Sequence, residues 1–549
     1  MKHIFSFLIL FFSLHLQAAE GISGLAVQDA GRIKPFDTFA RESLQLIHGK
    51  DTFKMEKGNQ PARPATEILM TWLLQPGAWE KTPLFEIRYG ELKKGLKLPS
   101  EQRHFSYAEI MGADRLPTLM QDLSSRLQAK EKLDPYFQAV QRLESQLFTF
   151  REIAAGRMVR LVPPKEGHTW KSVAELDGEL QEKFMAITQA FVPLLGVVVD
   201  PSSSSDRKKE VESQFNGAVE KFKQSARAEN PTLYPPESRL DLEIHYNHFH
   251  PFKWSWILYL LGTICVFLAW ILGKEGFYKP AWIFVILGFL LHTYGFGIRS
   301  YLAGRPPVSN MYETVIWVGW GSVLFSMVIE AMYRWRFILL AGTLVGSFCL
   351  ILADLAPVIL DPSLQPLEPV LRNNFWLLIH VLTITISYAA FFLAFGLGDI
   401  GLIFYLKDES KYRDRLKAIT LAIYRAMQIG VSLLAPGIIL GGIWADYSWG
   451  RFWGWDPKET WALIALLGYL AVLHGRLGGW LKDFGMVASA VITFSLVIMA
   501  WYGVNFVLGA GLHSYGFGAG GVGYVSVFVA LHLLFVIFVG VVRFGRLKK

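Results

Sequence analysis

Apolar runs long enough to cross about 30 Å of hydrocarbon recur through the second half of the chain, at residues 254–272, 281–298, 314–333, 337–356, 375–398, 421–441, 461–477, 484–507 and 522–541. A backbone in lipid finds no outside partner for its N–H and C=O groups, so each run is predicted to be a helix. The first half reads differently. A short apolar run from Ile4 to Leu16 follows Lys2 and His3 and precedes Ala18 and Ala19, which fits a secretory signal over 1–19, either cleaved or kept as an anchor. Residues 20–250 are charged, and Val211, Phe215, Val219 and Phe222 recur at helical spacing behind the polar run Ser202 to Glu210. Pro-rich Pro231 to Pro236 marks a linker. The expected fold is an all-α polytopic membrane protein: an N-terminal, mainly helical extracytoplasmic domain at 20–250, then a membrane domain of about nine transmembrane helices at 251–549.

Composition agrees with that pattern. The 549 residues are 52% apolar, include 40 Phe, and have a mean hydropathy of +0.31. Charge then orients the helices. One set of loops, with the C-terminal tail, carries Lys274, Lys279, Arg334, Arg336, Lys407, Lys411, Arg413, Arg415, Lys417, Arg476, Lys482, Arg543, Arg546, Lys548 and Lys549; the alternate set carries Arg299, Arg305, Arg372, Arg451 and Lys458. The excess of basic residues places the first set and the C-terminus in the cytoplasm, as in a bacterial inner membrane, and residues 20–250 on the periplasmic side. The net charge of +8 is largely accounted for by these loops and calls for no nucleic-acid partner. Cys265 and Cys349 both lie inside predicted spans, so no disulfide framework is expected in the exported domain. There is no CxxCH segment, so the chain is not itself a c-type cytochrome.

The densest candidate chemistry lies between two spans, in a predicted outward loop at 442–461. There WGRFWGWDPKETW places Trp449, Trp453, Trp455 and Trp461 around Asp456 and Glu459. A buried indole contributes several kcal/mol at about 25 cal/mol per Å², so four together suit a flat aromatic ligand. An interfacial aromatic belt also concentrates Trp, but a belt requires no WxWDxxE order. For Asp456 and Glu459, loop capping stands beside a role in directing a ligand.

That order, carried by Trp449, Gly450, Trp453, Trp455, Asp456, Glu459 and Trp461, resembles the tryptophan-rich "WWD" segment of the haem-handling family that includes CcsA-type cytochrome c assembly proteins and the related CcmC and CcmF proteins. Two further segments, GRIKPFDTFARE (Gly31 to Glu42) and LEIHYNHFHPFKW (Leu242 to Trp254), resemble the stretch preceding the CcsA part of fused CcsB-CcsA proteins.

Haem iron takes axial nitrogen ligands, and histidine is the usual donor. His380 sits about five residues inside the outward end of its span, and His513 lies in the outward loop GAGLHSYGFG. Unaided, the sequence leaves His513 as a solvated loop residue or a ligand, and His380 as a packing group or a ligand. The resemblance implies that the two are paired periplasmic haem ligands. His474 lies thirteen residues after Trp461, about 20 Å deeper along a helix. There the resemblance implies one ligand of an inner haem site, the other coming from a CcsB/ResB-like subunit. His292 and His532, also inside spans, are alternatives for that second ligand or interhelical hydrogen-bonding groups. His245, His248 and His250 are candidate metal ligands or an interfacial cluster. Arg305, Pro306, Pro307, Asn310 and Glu313, in the outward turn GRPPVSNMYE, organise either a haem propionate or helix packing.

The function implied is cytochrome c biogenesis, as part of a holocytochrome c synthase. Haem b would be transported outward and presented for thioether attachment to the CxxCH cysteines of apocytochrome c, with a CcsB/ResB-like subunit and thiol-reducing pathway proteins as partners. The alternatives are a haem chaperone that hands haem on without attaching it, and a membrane redox subunit with two permanent haems.

Overall fold

The computed structural model describes residues 20–54, 62–131, 133–199, 203–356, 360–366, 375–508 and 521–547. The chain divides into two compact units, 1–248 and 249–549.

The first unit is mainly helical, as predicted. Its principal elements are β1 (Ala26–Asp29), β2 (Arg32–Pro35), α1 (Phe36–His48), β3 (Thr52–Phe53), β4 (Arg63–Pro64), α2 (Ala65–Leu74), β5 (Phe85–Glu86), β6 (His104–Phe105), α3 (Leu116–Gln128), α4 (Pro135–Ala154), β7 (Arg160–Val162), β8 (Lys171–Ser172), α5 (Gly178–Val199), α6 (Ser205–Glu229) and α7 (Glu237–Phe249). Among the described residues, strands pair as antiparallel two-stranded ribbons, β1 with β2, β3 with β4, β5 with β6 and β7 with β8. The sequence reading did not anticipate them, because two to four residues are too few to display an alternating pattern. The apolar stripe of α6 is buried as its spacing predicts, with Phe215 and Phe222 meeting Phe191 and Phe184 of α5 at ring separations of 5.7 and 5.6 Å. Trp72, Phe85 and Phe150 form a second aromatic core.

The two segments that resemble the CcsB-CcsA stretch prove to be each other's partners. Arg32 on β2 forms a two-pronged ion pair with Glu243 on α7, at 2.9 and 2.7 Å. Asn247 donates to the Thr38 hydroxyl at 2.8 Å, and His248 Nε2 lies 3.0 Å from Asp37. Buried Lys34 is neutralised by Asp29 and Glu42. His248 is thus engaged by a carboxylate, and among the described residues no cluster of His, Cys, Asp or Glu could hold a metal ion.

His48, at the end of α1, illustrates the cost of burying an ionisable ring. It is 8% exposed and donates from Nδ1 to the Leu84 carbonyl. Burial, reinforced by the neighbouring His104, lowers its pKa to about 4. The unfolded chain, with a histidine near 6.5, binds the proton first, so stability is full above that value and falls as pH drops towards 4. We expect a loss of ~2 kcal/mol in this unit between pH 7 and pH 5. Hydrogen exchange at the α1 amides, corrected for intrinsic rates, should report it, and His48→Gln should flatten the dependence.

The second unit holds nine helices that, among the described residues, are long and apolar enough to cross a membrane. They are α8 (Pro251–Leu272), α9 (Glu275–Ala303), α10 (Met311–Tyr333), α11 (Phe337–Leu355), α12 (Phe375–Lys407), α13 (Arg413–Trp449), α14 (Pro457–Leu477), α15 (Asp483–Ile498), continued by a π-helix over Met499–Leu508, and α16 (Val522–Leu547). The protein is therefore a multi-pass membrane protein. With no hydrophobic drive between helices in lipid, close packing relies on small residues. Gly430 of α13 lets Phe391 of α12 approach so closely that any Cβ would collide with the ring, and Phe391 stacks on Tyr469 of α14 at 3.7 Å.

Candidate functional site

The tryptophan loop is shaped mainly by its own carboxylates. Gly450 ends α13 in the left-handed conformation, and Asp456 begins α14 as its N-cap, with Pro457 at the first helical position. The Asp456 side chain accepts from the Lys458 amide at 2.9 Å. Glu459 reaches back, its Oε2 accepting from the amides of Gly454 at 2.8 Å and Asp456 at 3.1 Å. This is a reciprocal capping box, in which both acids of the WDxxE order take part. Between them Trp455 adopts φ 55°, a left-handed conformation that costs a non-glycine residue about 1–2 kcal/mol. Its indole is 70% exposed and meets Trp453 edge-on at 5.8 Å. Trp449 packs against Trp444 at 4.6 Å, and Trp461 is half-buried at the start of the second turn of α14.

Beside the loop lies a cavity that opens to the outside. α12 contributes His380, Val381, Ile384 and Tyr388; α13 contributes Ile438, Gly441 and Gly442; the loop and α14 contribute Phe452, Trp453, Lys458 and Glu459; the 308–314 turn and the π-helix, through Trp501 and Asn505, complete it. Of the predicted site residues, the structure therefore brings His380, Trp453 and Glu459 together.

The orientation of His380 is specific. Its Nδ1 lies 2.8 Å from the Gly437 carbonyl of α13. A carbonyl only accepts, so Nδ1 carries the proton and the lone pair lies on Nε2, the tautomer that a metal-binding imidazole needs. One turn further along α13, Gly441 gives the ring room, since a Cβ there would come within 2.7 Å of Nδ1. An imidazole so held, in a largely apolar cavity flanked by an indole, fits an axial ligand to haem iron. His513 lies outside the described residues.

His474 is exposed, near the opposite end of α14, with Nδ1 2.7 Å from the Leu470 carbonyl. It too presents Nε2, seventeen residues from Pro457 or about 25 Å along the helix. The two intramembrane alternatives make interhelical contacts. His292 is fully buried with Nδ1 3.2 Å from the Tyr259 hydroxyl, and His532 Nε2 lies 3.5 Å from Asp399.

The GRPPVSNMYE turn forms one cavity wall through a buried ion cluster. Arg299 and Glu313 are both fully buried and pair at 2.9 Å. Arg299 also donates to the Pro362 and Ser363 carbonyls. Arg305 meets the other Glu313 oxygen at 3.2 Å, which also accepts from the Ser309 amide, while Asn310 caps α10 by accepting from the Glu313 amide. Sequence reasoning had picked out Glu313 and Arg305 but not Arg299, fourteen residues before its partner. It also missed Trp501 and Asn505. A π-helical segment, frequent at functional sites, brings them to the cavity, and Trp501 is fastened by a hydrogen bond to Thr314.

Comparison with known proteins bears on this same region. Residues 308–513 match the family model described as "Cytochrome C assembly protein". The chain is 29% identical to protein NrfI of Wolinella succinogenes over 91% of its own length and 54% of that relative, so it spans about half of NrfI. It is 34% identical to the cytochrome c biogenesis protein CcsA of Parasynechococcus marenigrum, over 48% of this chain and 94% of the relative. With CcsA of Chlamydomonas reinhardtii the identity is 33%, over 40% and 64%. A solved structure of the cytochrome c haem lyase CcmF aligns at a TM-score of 0.37 and 15% identity, covering 54% of this chain and 50% of that one. The chain belongs to the CcsA family of cytochrome c biogenesis proteins, whose characteristic region here includes the tryptophan loop and the His380 cavity.

Proposed function

We propose that the protein carries haem b outward across the bacterial cytoplasmic membrane and presents it, at a site ligated by His380 and His513, for thioether attachment to the CxxCH cysteines of apocytochrome c. The observation that carries this reading is the His380 imidazole, held through Nδ1 by the Gly437 carbonyl and lining a cavity that Trp453 also lines. The protein's contribution is positional: it orients the vinyl edge and sets the ligands of the iron, while the cofactor and the substrate thiols supply the reacting bonds. Trp449, Trp455 and Trp461 lie on the same loop outside the cavity lining, where they would meet haem only at its exposed edge, and Asp456 holds the loop in shape.

His474 supplies one ligand of an inner site. Its exposure on the outer surface of α14 suits completion by a ligand from another chain, and we assign that chain as a CcsB/ResB-like subunit. Residues 20–250 and the tryptophan loop lie on the periplasmic side, the C-terminus is cytoplasmic, and thiol-reducing proteins deliver the apocytochrome with its cysteines reduced.

Co-expression of the chain, its partner subunit and a CxxCH reporter in a bacterium lacking its own c-type assembly system tests this. We expect covalent haem on the reporter and a bis-histidine absorption spectrum from the purified complex. Haem that binds the complex but never reaches the reporter would reduce the function to carriage alone.

A further inference from the structure

The capping box uses half of Glu459. Oε2 is engaged by the Gly454 and Asp456 amides, whereas Oε1 is buried and has no hydrogen-bond partner among the described residues. A buried carboxylate oxygen without a donor is costly and calls for an explanation. Capping does not provide one, since a single oxygen accepts both amides. Glu459 lines the same cavity as His380, and it is the one carboxylate among the described residues that do so. Asn505 Oδ1, on the facing π-helix, is a second buried acceptor without a donor. Two residues that line the cavity therefore each keep one buried acceptor unmet, and of the two only the carboxylate can take up a proton. An occupant bearing a proton donor would satisfy them.

We propose that Glu459 Oε1 is the general base for the substrate thiol. This rests on the attachment reading above. A cysteine thiol has a pKa near 8.5 and is a poor nucleophile until its proton is leaving. Glu459, anchored at Oε2, accepts that proton at Oε1 as the sulfur bonds to the vinyl carbon next to the ring. The π electron pair passes to the terminal carbon, and Glu459 returns the proton there. One S–H bond and one C=C π bond are exchanged for one C–S and one C–H bond, so no oxidant or reductant is consumed.

Glu459→Gln separates this role from capping. A glutamine carbonyl can still accept the Gly454 and Asp456 amides, but the place of Oε1 is taken by an amide nitrogen that takes no proton. In the co-expression system we expect E459Q to retain the haem content and absorption spectrum of the unsubstituted complex while the rate of covalent haem attachment to the CxxCH reporter falls at least about tenfold, the lower range for loss of a general base. Glu459→Ala, which also breaks the cap, should lose bound haem as well. Attachment by E459Q at the unsubstituted rate, or loss of bound haem to the same extent as in E459A, overturns the assignment. A reporter left without covalent haem by the unsubstituted chain overturns the attachment reading, and the base with it.

Discussion

His380→Ala is expected to weaken haem binding at the outer site at least tenfold in the purified complex while the inner site at His474 keeps its haem, since losing an axial ligand costs at least what losing its hydrogen-bond partner costs, about 10–100-fold in affinity. The measurement is the absorption spectrum of the assembled complex, normalised to protein. A companion substitution isolates the placement of the ring from its presence. Gly441→Val keeps the imidazole but fills the space beside its Nδ1 and Cε1, and should reproduce much of the loss. If H380A retains unsubstituted haem content and spectrum, the cavity is not a haem site.

Glu313→Ala should be the most damaging substitution for folding. It removes the carboxylate paired with fully buried Arg299, and breaking a buried pair in this way costs about 3–5 kcal/mol. It also removes the acceptor shared by Arg305 and the Ser309 amide, which loosens the turn forming one cavity wall. The expected result is a large fall in membrane-inserted protein and in the thermal midpoint of whatever survives solubilisation. Arg305→Ala should be milder, because Arg305 is 10% exposed and Arg299 still neutralises Glu313. Equal stability of E313A and the unsubstituted chain would contradict the clustered geometry.

The membrane helices were legible because lipid leaves the backbone one solution, and their number follows from counting apolar runs. The capping box was legible in principle: an acid, a proline at the first helical position and a second acid three residues on form a helix-start pattern, which is the reading the hydrogen bonds of Asp456 and Glu459 support. His380 could be suspected from its place near a helix end, but not its tautomer. That depends on the Gly437 carbonyl, fifty-seven residues away, and on a glycine one turn later. Arg299 was hidden for a similar reason. On the chain it looks like one more basic residue near a loop, and only the packing of α9 against α10 shows that its charge is spent on Glu313. The short ribbons of the first unit escaped because two to four residues carry no readable period.

The pairing of β2 and α1 with α7 also sets a timetable for synthesis. Arg32 and Asp37 meet Glu243 and His248 only across a sequence separation of 211. A ribosome adding about 5–20 residues per second therefore exposes those early charges for some ten seconds or more before their counterparts emerge. Such distant closure slows folding and leaves the nascent segment open to proteases and to holdase chaperones. Deleting Glu243 to His248 should thus be felt first in the yield of newly made protein.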